Sequence, residues 1–261
     1  MDFKNIIFEV KDAIALITFN RPKAMNAMNP ATFRELASVI ETCKTDGQIK
    51  AVVLTGAGDR AFVAGADITK LNKLDSAMET MDFIELGHNT LRALELLGKP
   101  VIAAINGVAL GGGAEIAVSC DFRFASEKAI FGTPEINLGL IPGWGGTQRI
   151  ARLVGLGMTK ELVMSGDPIN AQRAYEIGLV NRVLPPDQVL PEAMKYAARL
   201  ATKPIFAMKM AKYAITYGYD IALDNARNLE IQCACNCLGT EDLKEGVSAF
   251  LEKRKPVFTG K

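Results

Sequence analysis

Apolar positions change their period along this chain in a set order. Ile6–Val10 and Ala13–Phe19 are rich in β-branched and aromatic residues, and Lys11-Asp12 between them predicts a β-hairpin. Lys50–Gly56 and Pro100–Asn106 are nearly continuous apolar runs, the pattern of strands covered on both faces in a parallel sheet. Around them the apolar spacing lengthens to that of a helix. Pro30–Cys43 is one such segment. Ala77–Leu97 is another, with Ile84, Gly87, Leu91 and Leu94 spaced to face a core. Strand and helix in alternation imply right-handed βαβ crossovers. After about residue 150 strands become scarce, and Pro185–Ala201, Ile205–Tyr217, Tyr219–Leu238 and Thr240–Lys255 read as successive helices. The expected organisation is an α/β core over residues 1–195 and a helical region over 196–261, with no low-complexity linker and no internal repeat.

Composition narrows the function. The chain has 261 residues, 49% of them apolar, enough for a sizeable core. Thirty basic residues against 29 acidic ones leave a net charge of +1, which argues against a general nucleic-acid or membrane-surface role. The most membrane-like window, Val101–Cys120, is broken by Asn106, Glu115 and glycines, so no spanning helix is expected. The first residues show no basic segment followed by an apolar one, and no secretory signal is read there. Five cysteines include Cys233, Cys235 and Cys237, a C-x-C-x-C spacing that invites a metal site. On a helix, Cys233 and Cys237 share a face with Ala222, Ala226 and Leu229, whereas Cys235 points elsewhere. Free thiols in a reducing compartment, with no metal and a cytoplasmic location, are the expectation.

Two carboxylates carry the chemistry. Glu115 follows Gly111–Gly113 and has apolar neighbours Ala114, Ile116, Ala117 and Val118. A carboxylate buried on such a helix needs a reason, and acid–base work at a carbon centre is one. The glycine run suits an ordinary tight turn into a helix equally well; the chemical reading is unobstructed N–H groups at a helix start, where negative charge is stabilised. Glu135 follows Pro134 within Phe131–Leu140 and, taken alone, is an ordinary loop acid.

The stretch Asn106–Ile150 resembles the signature of the crotonase superfamily, the enoyl-CoA hydratase/isomerase family. Ala61–Ile68 (AFVAGADI), Asn20–Met28 (NRPKAMNAM) and Phe250–Lys255 (FLEKRK) agree with it, so the resemblance spans essentially the whole chain. It implies a spiral of ββα units with a helical C-terminal trimerisation region, and a homotrimer or dimer of trimers. It implies that the N–H groups of Ala66 and Gly112 hold a thioester oxygen. Members with both glutamates resemble hydratases, which add water across the double bond of a 2-enoyl-CoA. Glu115 would then activate the water and Glu135 would protonate the α-carbon. CoA contacts fall on Lys23, Ala24, Met25, Ala64, Asp67, Ile68 and Lys253, with Arg254 and Lys255 beside the last. The C-terminal cations also suit the end of a helix capped by Thr240. CoA is part of the substrate, and no separate cofactor or metal is implied. Thr133 and Trp144 depart from the common pattern and are assigned to the acyl pocket; for Trp144, the sole tryptophan, plain core packing is the competing reading. They keep open a cyclic, branched or dienoyl substrate, or an isomerase. A non-catalytic scaffold or RNA-binding member is disfavoured by both glutamates and the near-neutral charge.

Other motifs fail. Gly56–Ala61 begins like a dinucleotide-binding loop but ends on Ala61, and no phosphate-binding G-x-x-x-x-G-K-[ST] is present. The single histidine, His88, has no serine or cysteine elbow to serve and is read as structural.

Overall fold

Apolar runs become strands here because both their faces are covered. The computed structural model describes residues 3–71 and 76–261. One sheet holds six strands in the order β1 (Ile6–Lys11), β2 (Ile14–Phe19), β3 (Ala51–Gly56), β5 (Val101–Ile105), β7 (Phe122–Ser126) and β10 (Arg182–Leu184). A second holds four: β4 (Ala61–Ala64), β6 (Val108–Leu110), β8 (Ile130–Gly132) and β9 (Ile169–Asn170). Within each sheet the neighbours run parallel, except the β1–β2 and β8–β9 pairs. Each strand β3, β5 and β7 is followed at once by its partner in the other sheet, β4, β6 or β8. The chain thus winds through both sheets once per turn, which is the expected spiral of ββα units. Every residue of β3 and β5 is buried, as their lack of alternation required.

The hairpin forms one residue later than its sequence suggested. Asp12 and Ala13 make the turn, with φ of 50° and 64°, and Lys11 pairs with Ile14. Two successive left-handed residues are what a two-residue hairpin turn demands.

Helices α1 (Pro30–Thr45) and α3 (Ala77–Glu95), with the four-residue α2 (Ile68–Leu71) before the latter, cover one side. Asn29 caps α1 by accepting from the Thr32 N–H, and Ser76 caps α3 through Glu79. The short α4 (Gly112–Val118) is wholly buried. The long α5 (Gly146–Ser165) was not foreseen from periodicity, nor was α6 (Ala171–Glu176). Gly155, with φ 80° and ψ 165°, breaks α5 into two segments and blurs its period.

Then come α7 (Val189–Ala201), α8 (Ile205–Gly218), α9 (Leu223–Leu238) and α10 (Glu241–Leu251). Val189, Ala193 and Ala197 of α7 pack on Ile14, Val53, Ile102 and Phe124 of the large sheet. A division after residue 195 therefore runs through a helix of the core. The character changes after Ala201: α8 has no fully buried residue, and α9 has only Cys233. Cys237 is half-buried and Cys235 exposed on α9, so the three thiols do not converge. No helix of the described residues is long and apolar enough to cross a membrane.

Candidate active site

Helix α4 starts where three chain segments meet. Gly111 takes φ 52° and ψ −122°, a conformation closed to most side chains. A Cβ on Gly113 would run into the Val63 carbonyl of β4. The glycine run is therefore a close-packing device as well as a helix start. It carries Glu115 into the interior, at 1% exposure.

A second helix start meets that carboxylate. Glu115 Oε1 accepts from the N–H of Trp144 at 2.7 Å and of Gly146 at 2.8 Å, both at the beginning of α5. A negative charge at a helix N-terminus is favoured. A Cβ on Gly146 would lie 3.0 Å from Glu115 Cγ, so glycine permits the approach. Burial nevertheless pushes the Glu115 carboxyl up to about 7, with the charge of Glu135 adding to the rise while the two amides and Arg149 oppose it. Glu135 sits on a 3₁₀ turn, Pro134–Leu138, and burial raises its carboxyl as well. Its Oε2 is buried and accepts no hydrogen bond from any described residue.

Both acids line one cavity of about 210 Å³ with Ala64, Ala66, Ile68, Gly112 and Trp144. The main-chain N–H groups of Ala66 and Gly112 donate to no described residue. Ala66 is held by a parallel bridge to Met28, in which Met28 N–H donates to Gly65 and Asp67 N–H to Met28. The cavity thus offers two carboxylates of raised proton affinity and two free main-chain donors, framed by apolar walls.

The sequence model of the enoyl-CoA hydratase/isomerase family matches residues 9–261. The chain belongs to this family. Similar proteins include a crotonyl-CoA hydratase of Syntrophomonas wolfei, 47% identical over 261 residues and the full length of both chains. A short-chain-enoyl-CoA hydratase of Clostridium acetobutylicum is 46% identical over 255 residues, 98% of this chain and 97% of that one. The crystal structure of an enoyl-CoA hydratase from Bacillus anthracis superposes with a TM-score of 0.95 at 38% identity, covering 99% of this chain and 100% of that one.

In this member of the hydratase/isomerase family the indole of Trp144 is a wedge. It is 5% exposed, with its ring edge-on to Phe33 (4.7 Å between centroids) and Phe83 (5.3 Å). A Cβ on Gly87 or Gly112 would overlap the indole, so glycines on α3 and α4 form its slot. Ile84, expected in the core, is 38% exposed and lines the cavity instead; Phe83 takes the buried position.

Thr133 does not join the acyl pocket. It is 1% exposed, lines no part of the cavity, and its hydroxyl donates to the Leu162 carbonyl at 3.2 Å. The strand-to-turn geometry after β8 turns it towards α5 rather than towards Glu135. Asp67 is likewise occupied: its carboxylate takes Arg21 at 2.7 Å and the Thr69 hydroxyl at 2.6 Å. It braces the loop, leaving its neighbours to face a ligand. Lys23 and Ala24 lie on the 3₁₀ turn Pro22–Ala24; Met25 follows at φ 51°, and its carbonyl accepts from Ala64 N–H at 3.0 Å. The two loops expected to hold CoA are therefore adjacent. Lys253 lies beyond α10, exposed, and lines no part of this chain's cavity. Its neighbour Arg254 is engaged by Glu245 and Glu252.

Sequence reasoning missed the amides of Trp144 and Gly146 and the side chains behind them. Gly145 at the N-cap of α5 carries no capping side chain, so the sequence held no strong signal of this helix start.

Proposed function

We infer that this chain adds water reversibly across the 2,3 double bond of a 2-enoyl-CoA to give a 3-hydroxyacyl-CoA. The observation that carries the reading is the pair of buried carboxylates facing one apolar cavity beside two unengaged main-chain N–H groups. Ionised Glu115, fixed through Oε1, takes a proton from water as the water oxygen bonds to the β-carbon. The π electrons move onto the thioester oxygen, where the Ala66 and Gly112 N–H groups receive the enolate charge. Such donors contribute ~3–4 kcal/mol each at a transition state. Glu135, whose carboxyl burial also raises, then delivers a proton to the α-carbon. Both carboxyls have a raised proton affinity, and the charge of Glu135 adds to the rise at Glu115, so the two titrate as a coupled pair.

The cycle closes when the proton gained by Glu115 is returned to Glu135 through solvent, so the reading calls on two carboxyls and water and on no metal or separate cofactor. Trp144 closes the cavity against α3, which favours a short acyl chain. Exposed apolar residues on the last helices, Phe250 at 83% and Leu251 at 74% among them, support assembly through this region into a trimer or dimer of trimers. Free, buried thiols at Cys43, Cys120 and Cys233 accord with a cytoplasmic enzyme.

An assay of purified protein against a panel of straight, branched, cyclic and dienoyl-CoA thioesters tests the reading. Loss of the conjugated double bond with formation of a 3-hydroxyacyl-CoA, fastest for short straight chains, is expected. Double-bond migration without uptake of water would replace it with an isomerase.

A further inference from the structure

Behind the two glutamates lies a buried ionic brace. Arg149, at the end of the first turn of α5, has a side chain only 12% exposed. Its Nε and Nη2 donate to Glu95 Oε2 at 3.2 and 3.0 Å, and its Nη1 donates to the Trp144 carbonyl at 2.9 Å. Its main-chain N–H donates to the Gly145 carbonyl at 2.8 Å. That last bond matters because the Gly145 carbonyl and the Gly146 N–H belong to one peptide plane, and this N–H holds Glu115. The Trp144 N–H, the other donor to Glu115, belongs to the residue whose carbonyl Arg149 grips. Gly145 itself stands at φ 102°, and a Cβ there would overlap the guanidinium. Arg92 Nη1 donates to the same Glu95 Oε2 at 2.8 Å. Burial raises the Glu95 carboxyl, but hydrogen bonds from Arg149 and Arg92 outweigh this and hold it below its ordinary range.

We propose that Arg149, anchored by Glu95, is a positioning residue for the hydration reaction: it fixes the Trp144–Gly146 loop and thereby the orientation and proton affinity of Glu115. The proposal rests on the hydratase reading. Arg149 reaches neither the cavity nor the acyl group. The side chain acts through the Trp144 carbonyl and through its charge, while the main-chain bond to Gly145 is kept in any variant. Both effects favour ionised Glu115, so losing Arg149 makes that carboxyl harder to ionise. Around Glu115 the facing charged groups are Glu135 from the 3₁₀ turn and Arg149 from α5. Around Arg149 they are Glu95, Arg92 and His88 from α3; Arg152 of α5 and its partner Asp220 line the same outer hollow. His88 is held below its ordinary value by burial and by Arg149.

The test compares Arg149→Gln, Arg149→Lys and Glu95→Gln with wild type, using crotonyl-CoA, kcat and KM from pH 5 to 9, and circular dichroism to confirm folding. A loosened loop misplaces the base by a fraction of an ångström, and displacements of that kind reduce turnover by about 10- to 100-fold. The expected result for R149Q is such a fall in kcat, KM within about threefold of wild type, and an acid limb of the pH profile moved to higher pH. The limb should move equally in a His88→Asn background. R149K, which keeps the charge but not the fork, should recover part of the turnover. An R149Q enzyme with kcat within twofold of wild type, or a reduced kcat with the acid limb unmoved, overturns the proposal. Should R149Q not fold, E95Q and R149K are judged by the same two criteria. Failure of wild type to hydrate crotonyl-CoA counts against the hydratase reading instead, so the two are told apart.

Discussion

The two walls of the cavity hold their carboxylates differently. Glu115 rises from a buried helix, and one of its oxygens is gripped by two amides at the start of α5. Glu135 stands on a 3₁₀ turn with a buried oxygen that no described residue satisfies. The surroundings differ as well. Glu115 is backed by Ile116, Ala117 and the main core, whereas the turn of Glu135 runs into Leu138, Leu140 and Ile141, exposed at 57%, 48% and 66%. One acid is oriented by the protein before anything binds. The other has hydrogen-bonding capacity left over for what enters the cavity. That asymmetry suits a reaction in which water must be aimed at one carbon while a proton is released to the next.

The largest expected effect breaks both walls. Glu115→Gln and Glu135→Gln each keep the shape and remove the proton. Each should lower kcat by ~10²–10⁴-fold, with binding of a saturated acyl-CoA changed little. Isothermal titration and steady-state kinetics on the same preparations check this. Near-wild-type turnover in either variant would remove that residue from the mechanism.

The Glu115 wall was half legible in the sequence. Gly111–Gly113 before an apolar run announced a helix start, and a carboxylate among alanines and aliphatics announced burial. What grips the carboxylate was not legible, because it lies on α5, whose period is broken at Gly155. The pairing of Glu115 with Trp144 and Gly146 is a contact across a long stretch of chain that no local pattern encodes. The Glu135 wall was not legible from physics at all. Its turn has no period, and only the family resemblance marked it. The same holds for Thr133, which was marked only by its departure from the family pattern: it ends the extended segment just before the 3₁₀ turn that carries Glu135, so the two side chains do not share a face. The spiral was more readable, since β3 and β5 are buried on both faces and their composition says so.

Trp144 belongs to both walls, which sharpens the comparison. Its N–H serves Glu115, and its ring lines the cavity between Gly87 and Gly112. Packing and specificity, posed as alternatives from the sequence, are therefore joined. Trp144→Ala keeps the N–H and empties the aromatic cluster. It should cost ~3–5 kcal/mol of stability and shift the ratio of kcat/KM values towards longer or branched acyl groups. A thermal melt paired with the substrate panel separates the effects. An unchanged ratio beside a large stability loss would confine the indole to packing.

Burial of Glu115 also has a pH signature that Glu135, nearer the open mouth, should share only weakly. The Glu115 carboxyl rises from an ordinary 4.5 to about 7 on folding. The folded state therefore holds its proton more tightly than the unfolded state does. Stability is lost as pH rises through this window, and the loss is complete above the folded value. At ~1.4 kcal/mol per pH unit the penalty is on the order of 3 kcal/mol at most. Glu115→Gln, which escapes it, should gain stability over wild type between pH 5 and pH 8, with no gain below pH 4.5. Chemical denaturation at the two ends of this range checks the sign. An advantage for E115Q that is equal at both ends would mean that the carboxyl's proton affinity is not what burial has changed.

The smallest effect concerns Thr133, adjacent to the Glu135 turn yet outside the cavity. Its hydroxyl meets the Leu162 carbonyl in a buried setting, and Leu162 lies on the second segment of α5. Thr133→Val keeps the shape and removes the donor. The Leu162 carbonyl also lies within hydrogen-bonding reach of the Gly166 N–H, at 3.2 Å, so it is not left without a donor. A loss of about 0.5–1.5 kcal/mol is expected, the ordinary worth of one intramolecular hydrogen bond. Relative kcat/KM across the acyl panel should not move, because the side chain faces α5 and not the substrate. A changed acyl preference in T133V, without a matching change in Trp144→Ala, would place the specificity wall on the Glu135 side and reverse the assignment made here.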